Sequence, residues 1–524
     1  MAITQLHNSD CKLEAAHFSW VRESIVTGIL WCVVVGAVWA DEPPKGPLAI
    51  PMKRITITFA LILALWFQVF AQENRENESE KPEPPGYHIL RAEEDYSYLR
   101  NKEKQPYKND LFDPLKFMPV NSQGTIFLTL GGEIRPRFEF FRNDDWGSAP
   151  KKNDGYYSQR LSMHAALSLA EHVRVFGEIY HGLLSKGEKV IAQDDSIDLH
   201  QGFLEINLHS KENQKLRVRL GRQELNYGSA RLVGLREGPN IRRSFDAARL
   251  LYANDKANFE GFVGSEVKVP FGAFNNSYND DMLFWGGYSR FQLDVLPQGS
   301  NELYYFGFSI DSARFNDGID EETRHSIGLR RSGKLGRSFR YNTELMYQFG
   351  SFGDKKISAF ALEGDWHYRL HDAKWKPEFG MKLDYISGDR KHGDDKLNTF
   401  NPLFDNPAYF GLLGKIAPMN LVDIHPSVKL EPDEKVEIIV DWDFFWRASK
   451  EDGLYAPPRF LIREGHEAES RWIGHQPGFE LVYRINRHFS WKFEASYFVT
   501  GEFMEETGES KNLFYFASTS SFKF

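Results

Sequence analysis

The chain has 524 residues, 15% of them aromatic, with 42 glycines and a formal net charge of −9. The acidic balance argues against a nucleic-acid binder. A mean hydropathy of −0.48 excludes a bundle of transmembrane helices, which needs several apolar runs of about 20 residues. It does not exclude a transmembrane β-barrel, whose alternating faces average out as hydrophilic.

Residues 1–51 contain an apolar run, Ile25–Ala40, and both cysteines, Cys11 and Cys32. Nothing downstream can therefore form a disulfide, a thiolate zinc site or a thiol nucleophile. Met52 opens a better-formed segment: Lys53 and Arg54, the apolar run Ile55–Phe67, then Val69-Phe70-Ala71. That is the layout of a secretory signal peptide with a small-residue cleavage site. We read 1–51 as a misassigned extension and 52–71 as the signal peptide. The cysteine-free remainder suits an oxidising periplasmic route. Residues 72–110 are polar, of mixed charge and proline-bearing (Glu83-Pro84-Pro85-Gly86). They read as a flexible stretch, and 72–124 as a whole as a polar periplasmic leader.

From about Thr125 onward, short aromatic-rich segments alternate with period 2 between turn residues, and none has a helical period. Ile134, Phe138 and Phe140 alternate with Glu133, Arg135, Arg137 and Glu139. Phe379, Met381, Leu383 and Tyr385 alternate with Glu378, Lys382 and Asp384. A soluble sandwich gives the same pattern with its apolar face inside, so loop lengths have to decide. About 18 strands are expected, beginning near 125, 156, 173, 196, 215, 245, 256, 283, 302, 323, 337, 356, 376, 420, 434, 473, 488 and 511. Long connections (143–155, 184–195, 224–244, 267–282, 389–419, 448–472, 501–510) alternate almost throughout with turns such as Glu171-His172 and Asn486-Arg487. Long loops on one rim and tight turns on the other mark an outer-membrane barrel. Residues 125–524 are thus expected to form an all-β, antiparallel, up-and-down transmembrane β-barrel, closing on a strand that ends at Phe524.

The segment Leu216–Leu250 is the most unusual. Residues 217–249 hold eight arginines (Arg217, Arg219, Arg222, Arg231, Arg236, Arg242, Arg243, Arg249) against three acids (Glu224, Glu237, Asp246). One reading is a solvated basic loop. The other is a cationic pore lining, because rings of Arg select anions and the guanidinium fork binds carboxylates in two places. Arg135, Arg137, Arg174, Arg340, Arg369, Lys382, Arg447 and Arg484 are expected to face the lumen with Glu133, Glu139, Glu178, Glu344, Asp365, Asp384 and Asp443, most of them pairing across strands. None of the sixteen histidines has metal-ligand spacing with a partner. Asp144-Asp145 and Asp394-Asp395 read as solvated acidic loops. No nucleophile elbow, phosphate loop or dinucleotide fingerprint is present.

Leu220-Gly221-Arg222-Gln223-Glu224-Leu225, Tyr227-Gly228, Arg231-Leu232, Arg236-Glu237-Gly238-Pro239-Asn240 and Ser244-Phe245-Asp246 resemble the alginate export family of outer-membrane proteins. So do Thr399-Phe400-Asn401-Pro402-Leu403-Phe404, Tyr409-Phe410-Gly411, Asn420-Leu421, Glu94-Asp95-Tyr96-Ser97-Tyr98-Leu99 and Asp113-Pro114-Leu115-Lys116. The resemblance spans about 93–524. It implies an 18-stranded barrel with an arginine-rich constriction for an anionic polysaccharide. Arg222, Arg231, Arg236, Arg242 and Arg243 would stand in that constriction, with Glu237 and Asp246 as orienting acids. It also implies a long periplasmic loop late in the barrel. Here the chain departs, since only Asn486-Arg487 precedes the penultimate strand.

The expected function is a passive outer-membrane pore or exporter, without cofactor, metal or catalysis. Outer-membrane lipid, small anionic solutes or an anionic polysaccharide, and periplasmic secretion proteins are the expected partners. The rivals are a general porin without polymer specificity, an outer-membrane barrel enzyme, and a secreted β-protein that binds carbohydrate.

Overall fold

The computed structural model describes residues 82–101, 106–151, 153–185, 190, 192–211, 213–293 and 298–524. The segments read above as a signal peptide and an upstream extension lie outside the described residues. Eighteen strands form the wall: β1 Ile126–Arg142, β2 Asn153–Leu169, β3 Val173–Leu184, β4 Asp195–Lys211, β5 Gln214–Gln223 and β6 Phe245–Asn254. There follow β7 Ala257–Glu266, β8 Met282–Phe291, β9 Gly299–Phe315, β10 Gly318–Leu335, β11 Phe339–Phe352 and β12 Lys355–Arg369. The wall ends with β13 Glu378–Ile386, β14 Leu421–Asp433, β15 Val436–Arg447, β16 Trp472–Arg484, β17 Phe489–Thr500 and β18 Leu513–Lys523.

Each strand pairs antiparallel with its sequence neighbours, and β18 returns to β1, setting Phe522 opposite Ile134 and Phe514 opposite Arg142. The sheet is therefore a closed up-and-down barrel. Closure leaves no open edge, as a bilayer demands of every backbone amide. The largest offset from the sequence-based starts is at β10, which begins at Gly318 rather than 323. Turns on one rim are short, the longest being 370–377, and the turn at 485–488 leaves no room for a long late periplasmic loop. The other rim carries the loops, including 224–244, 387–420 and 448–471. Alternation lapses there at Asn316-Asp317 and Gly353-Asp354, where the 17-residue β9 and 18-residue β10 raise the wall instead.

The period-2 faces sort as expected. Phe379, Met381, Leu383 and Tyr385 are exposed outward, whereas Glu378 and Asp384 are buried in the lumen. Outward aromatics pack along the belt, with Trp442 stacked on Phe444 at 5.5 Å between centroids and Trp446 tilted against Trp472 at 4.7 Å.

The leader differs from its expectation. From Tyr87 to Lys116 the described residues pack into the lumen at the short-turn rim. Ala92, Tyr96 and Leu99 are buried, and Ala92 clusters with Ala166, Phe176 and Phe203 on the inner wall. Arg91 donates to the carbonyls of Gly132 (3.2 Å) and Phe524 (2.8 Å), tying the segment across the barrel seam. Composition misleads here because the polar residues find partners on a polar wall rather than water. Burial alone would raise the Glu93 carboxyl, but Arg219, 2.8 Å away, holds it down at about 2. A depressed carboxyl stabilises the docked state fully above its free value near 4.5 and loses that contribution as pH falls toward 2. The amide protection factors of Glu93 and Leu99, corrected for the intrinsic exchange rate at each pH, should fall across that window; a flat profile would mean that the pair does not hold the segment.

Candidate functional site: the charged lumen

Two long loops fold inward and meet. Val233 bridges Phe404 in parallel, and the amides of Gly234 and Phe404 donate to the carbonyls of Phe404 and Leu232 at 2.8 Å each. Phe404 sits against Phe245 (5.0 Å), Phe284 (4.9 Å) and Phe308 (5.8 Å), so the β6–β9 sector is closed by an aromatic plug. Both loops hold non-glycine residues at positive φ, among them Ala230 (63°), Arg236 (54°) and Leu403 (53°). Such backbone persists only where the surroundings over-determine it.

Most of the arginine-rich segment serves as those surroundings. Glu237 is the hub. Arg160 of β2 reaches it at 2.8 Å, Arg135 of β1 at 3.5 Å, and Arg242 beside it also bonds to it. Burial would raise this carboxyl, but the three guanidinium groups hold it well below the usual range. Arg160 and Arg135 also donate to the carbonyl of Pro239, at 2.7 and 2.9 Å. Arg242 lies 3.5 Å from Glu224. Arg243 pairs with Glu266 at 2.9 Å and donates to the carbonyls of Gly234 and Phe404; Arg236 lies 4.0 Å from the same Glu266. Arg231 crosses to the opposite wall, 2.7 Å from Glu363 of β12 and 3.5 Å from Glu344 of β11. Arg219 and Arg217 of β5 share Glu205, at 2.5 and 3.1 Å. The local excess of five positive charges is thus matched by acids contributed from other strands, and the segment is neither a solvated loop nor a free cationic surface.

Arg137 bonds to Tyr515 and pairs with Glu139 at 3.2 Å; Arg174 donates to the carbonyls of Ala92 and Glu94. Glu178 accepts from Gln201 at 2.7 Å. Lys382 donates to the carbonyl of Tyr409 at 3.0 Å, and the hydroxyl of Tyr409 donates to Asp384 at 3.3 Å. Lys415 bridges Asp144, which is buried, and Asp145, which stays exposed to solvent.

Arg222 and Asp246 correct the expectation. They pair at 2.9 Å, but their cross-strand register places them with Leu204, Leu220 and Leu250, the exposed outward face. The reason is parity: Arg217 and Arg219 occupy odd, inward positions of β5, and Arg222 is even. Gly221 between them has φ 124°, and a Cβ there would lie 2.3 Å from the carbonyl of Gly202, so only glycine fits.

Below the inward loops, toward the short-turn rim, the wall is lined by ion pairs with a common asymmetry. Arg290 (50% exposed) covers Glu302 (0%), Arg340 (47%) covers Glu378 (6%), and Arg484 (51%) covers Glu437 (17%). Lys492 covers Glu494 and Glu480 in the same way. The acid lies against the wall and the longer base projects into the lumen. Sequence reading placed Arg340 and Arg484 in the lumen and Lys492 on the charged face of its strand, but missed Arg290, whose inward parity on β8 was the available signal.

A model of the family described as alginate export matches residues 127–518. The chain belongs to the alginate export family. Among solved structures this alginate-export barrel is similar to OpdO of Pseudomonas aeruginosa, at 12% identity and a TM-score of 0.50 over 76% of this chain and 97% of that one. It is likewise similar to OccK2 (OpdF) of Pseudomonas aeruginosa, solved in complex with glucuronate, at 11% identity and a TM-score of 0.50, covering 76% and 98%. These likenesses show the fold. No curated protein sequence matches the chain. The alginate-export barrel is an outer-membrane protein of pore or export type, and its family and fold are those of a transporter rather than an enzyme.

Proposed function

We propose that the barrel is a passive pore that prefers anions, passing acidic sugars or a uronate polymer of the alginate kind. The observation that carries this reading is the exposure asymmetry of the lower lumen. Arg290, Arg340, Arg484 and Lys492 present their cationic groups to the lumen while the acids stay behind them. A carboxylate in transit can exchange water for a guanidinium fork. The acid behind each fork keeps that site nearly neutral, so binding stays weak enough for the solute to move on. The glucuronate held by OccK2 (OpdF) is a solute of that chemical class. Lipid would meet the outward aromatic belt, and any periplasmic secretion protein the short-turn rim. A general porin without polymer specificity is the alternative, and it shares the same lumen.

The test is the reversal potential of the purified barrel in a planar bilayer under a salt gradient. Anion selectivity is expected, and it should fall sharply in the triple variant Arg290→Ser, Arg340→Ser, Arg484→Ser. Arg222→Ser, on the outer face, should leave it unchanged. An unaltered reversal potential in the triple variant would overturn the reading.

A further inference from the structure

The acidic side of the lumen, behind the 387–420 loop, holds a group that transport does not use. Asp423 and His425 stand two apart on β14 and so face the same way, inward. The register that pairs Ile424 with Phe444 and Ser427 with Asp441 sets His425 opposite Asp443 of β15. Asp384 of β13 lies directly across from Asp423. Asp423 and Asp443 are wholly buried, and His425 nearly so. Neither carboxylate oxygen of Asp423 has a hydrogen-bond partner among the described residues, and Asp443 meets the His425 imidazole. The nearest cation to Asp423 is His425 Nδ1, 4.0 Å away, which already lies 2.6 Å from Asp443. Lys382, the other base nearby, is engaged by the carbonyl of Tyr409.

Opposed carboxylates on one sheet face repel, and a buried carboxylate without a partner costs several kcal/mol. One imidazole does not satisfy three acids. The donor set supplies what is missing. A ligand atom from each of Asp423, His425 and Asp443 lies within 4.8 Å of the others, within side-chain adjustment of the edge of about 3.4 Å expected for a tetrahedron of bonds near 2.1 Å. His425 Nε2 lies 3.3 Å from Asp441 Oδ2. With an ion bound, Nδ1 would give up the proton that its 2.6 Å contact with Asp443 requires, and Nε2–H would be held by Asp441, as in the carboxylate–histidine–metal relay of protein metal sites. The loop closes over the group: a Cβ on Gly411, whose φ is 90°, would lie 2.7 Å from Asp443.

We propose that Asp423, His425 and Asp443 hold a divalent transition-metal ion of the zinc class in the lumen wall, with Asp441 as the residue that positions His425. An imidazole among the donors favours such an ion over Ca²⁺ or Mg²⁺, which take oxygen ligands. The ion ties β14 to β15 beneath the 387–420 loop and cancels charge that would otherwise repel anions in the lumen. The sequence expectation of no metal-ligating histidine counted spacing along the chain. The third ligand arrives from the neighbouring strand.

The test is chelator treatment of the folded barrel, then titration with Zn²⁺ with bound metal counted directly and thermal midpoint recorded. One equivalent of Zn²⁺ per chain and a higher midpoint are expected. Asp423→Asn and His425→Gln should lose the equivalent, and Asp441→Asn should weaken it by about 10–100-fold. Folding of each variant is checked by the altered gel mobility of an unheated barrel. Wild-type barrel that takes up no saturable Zn²⁺, or uptake unchanged in Asp423→Asn, would overturn the proposal, and neither result depends on the selectivity of the pore.

Discussion

Replacing Arg160 by Met should free the 224–244 loop from the wall and raise the conductance of the barrel severalfold. Arg160 is wholly buried and donates to three backbone carbonyls of that one loop: Asn240 (2.7 Å), Pro239 (2.7 Å) and Glu237 (3.2 Å). It is also the cation that Glu133 and Glu237 share, at 3.3 and 2.8 Å. A thioether satisfies none of these. Breaking a buried pair costs about 3–5 kcal/mol, and the orphaned carbonyl of Asn240 adds about 1–3 kcal/mol while it stays buried, whereas those of Pro239 and Glu237 keep Arg135. The strand ladders do not depend on Arg160, so the chain can relieve the cost locally by letting the loop leave. The loop carries residues at positive φ, and release relaxes that backbone as well. The thermal midpoint of the wall should therefore move little while conductance and proteolysis of the loop both increase. Arg160→Lys keeps the charge but not the fork and should fall between. Unchanged conductance together with an intact loop in Arg160→Met would show that the other anchors, Arg135 and Arg242, suffice.

The wall was legible because barrel closure makes each strand a local pattern. Alternation of Phe379, Met381, Leu383 and Tyr385 with Glu378, Lys382 and Asp384 names the face of each side chain before any partner is known. The same parity puts Arg222 on the opposite face from Arg217 and Arg219, a distinction that counting arginines across the segment conceals. What occupies the lumen was not legible, because it is built from contacts between distant parts of the chain. Arg231 is 132 residues from Glu363, and the excess of five charges read in residues 217–249 vanishes only once Glu205, Glu260, Glu266, Glu344 and Glu363 are brought alongside. The same holds for Tyr87–Lys116, whose few apolar residues gain a surface to bury against only when β2, β3 and β4 form one. Asp423, His425 and Asp443 are a cluster only in the register of β14 on β15.

Replacing Arg231 by Met should shift the reversal potential toward cations without removing any of the exposed bases of the lower lumen. Arg231 is buried between Glu363 and Glu344 and donates to the hydroxyl of Tyr409 at 2.6 Å. Without it Glu363 loses its cation outright, since its Oε2 has no hydrogen-bond partner. Glu344 keeps only the hydroxyls of Tyr304 (2.6 Å) and Ser229 (2.5 Å). Stability should fall by about 3–5 kcal/mol, mostly the cost of the carboxylates left behind. That sector already holds Asp384 and Asp423, so the field there turns more negative and anions should be turned back. The double variant Arg231→Met, Glu363→Gln tests the cause, because a neutral amide of the same shape removes the stranded charge. If compensation is the role of Arg231, the double variant should recover most of the stability and the anion preference, giving a large coupling energy between the two sites. A double variant as cation-shifted as the single one would mean instead that Arg231 meets the solute directly.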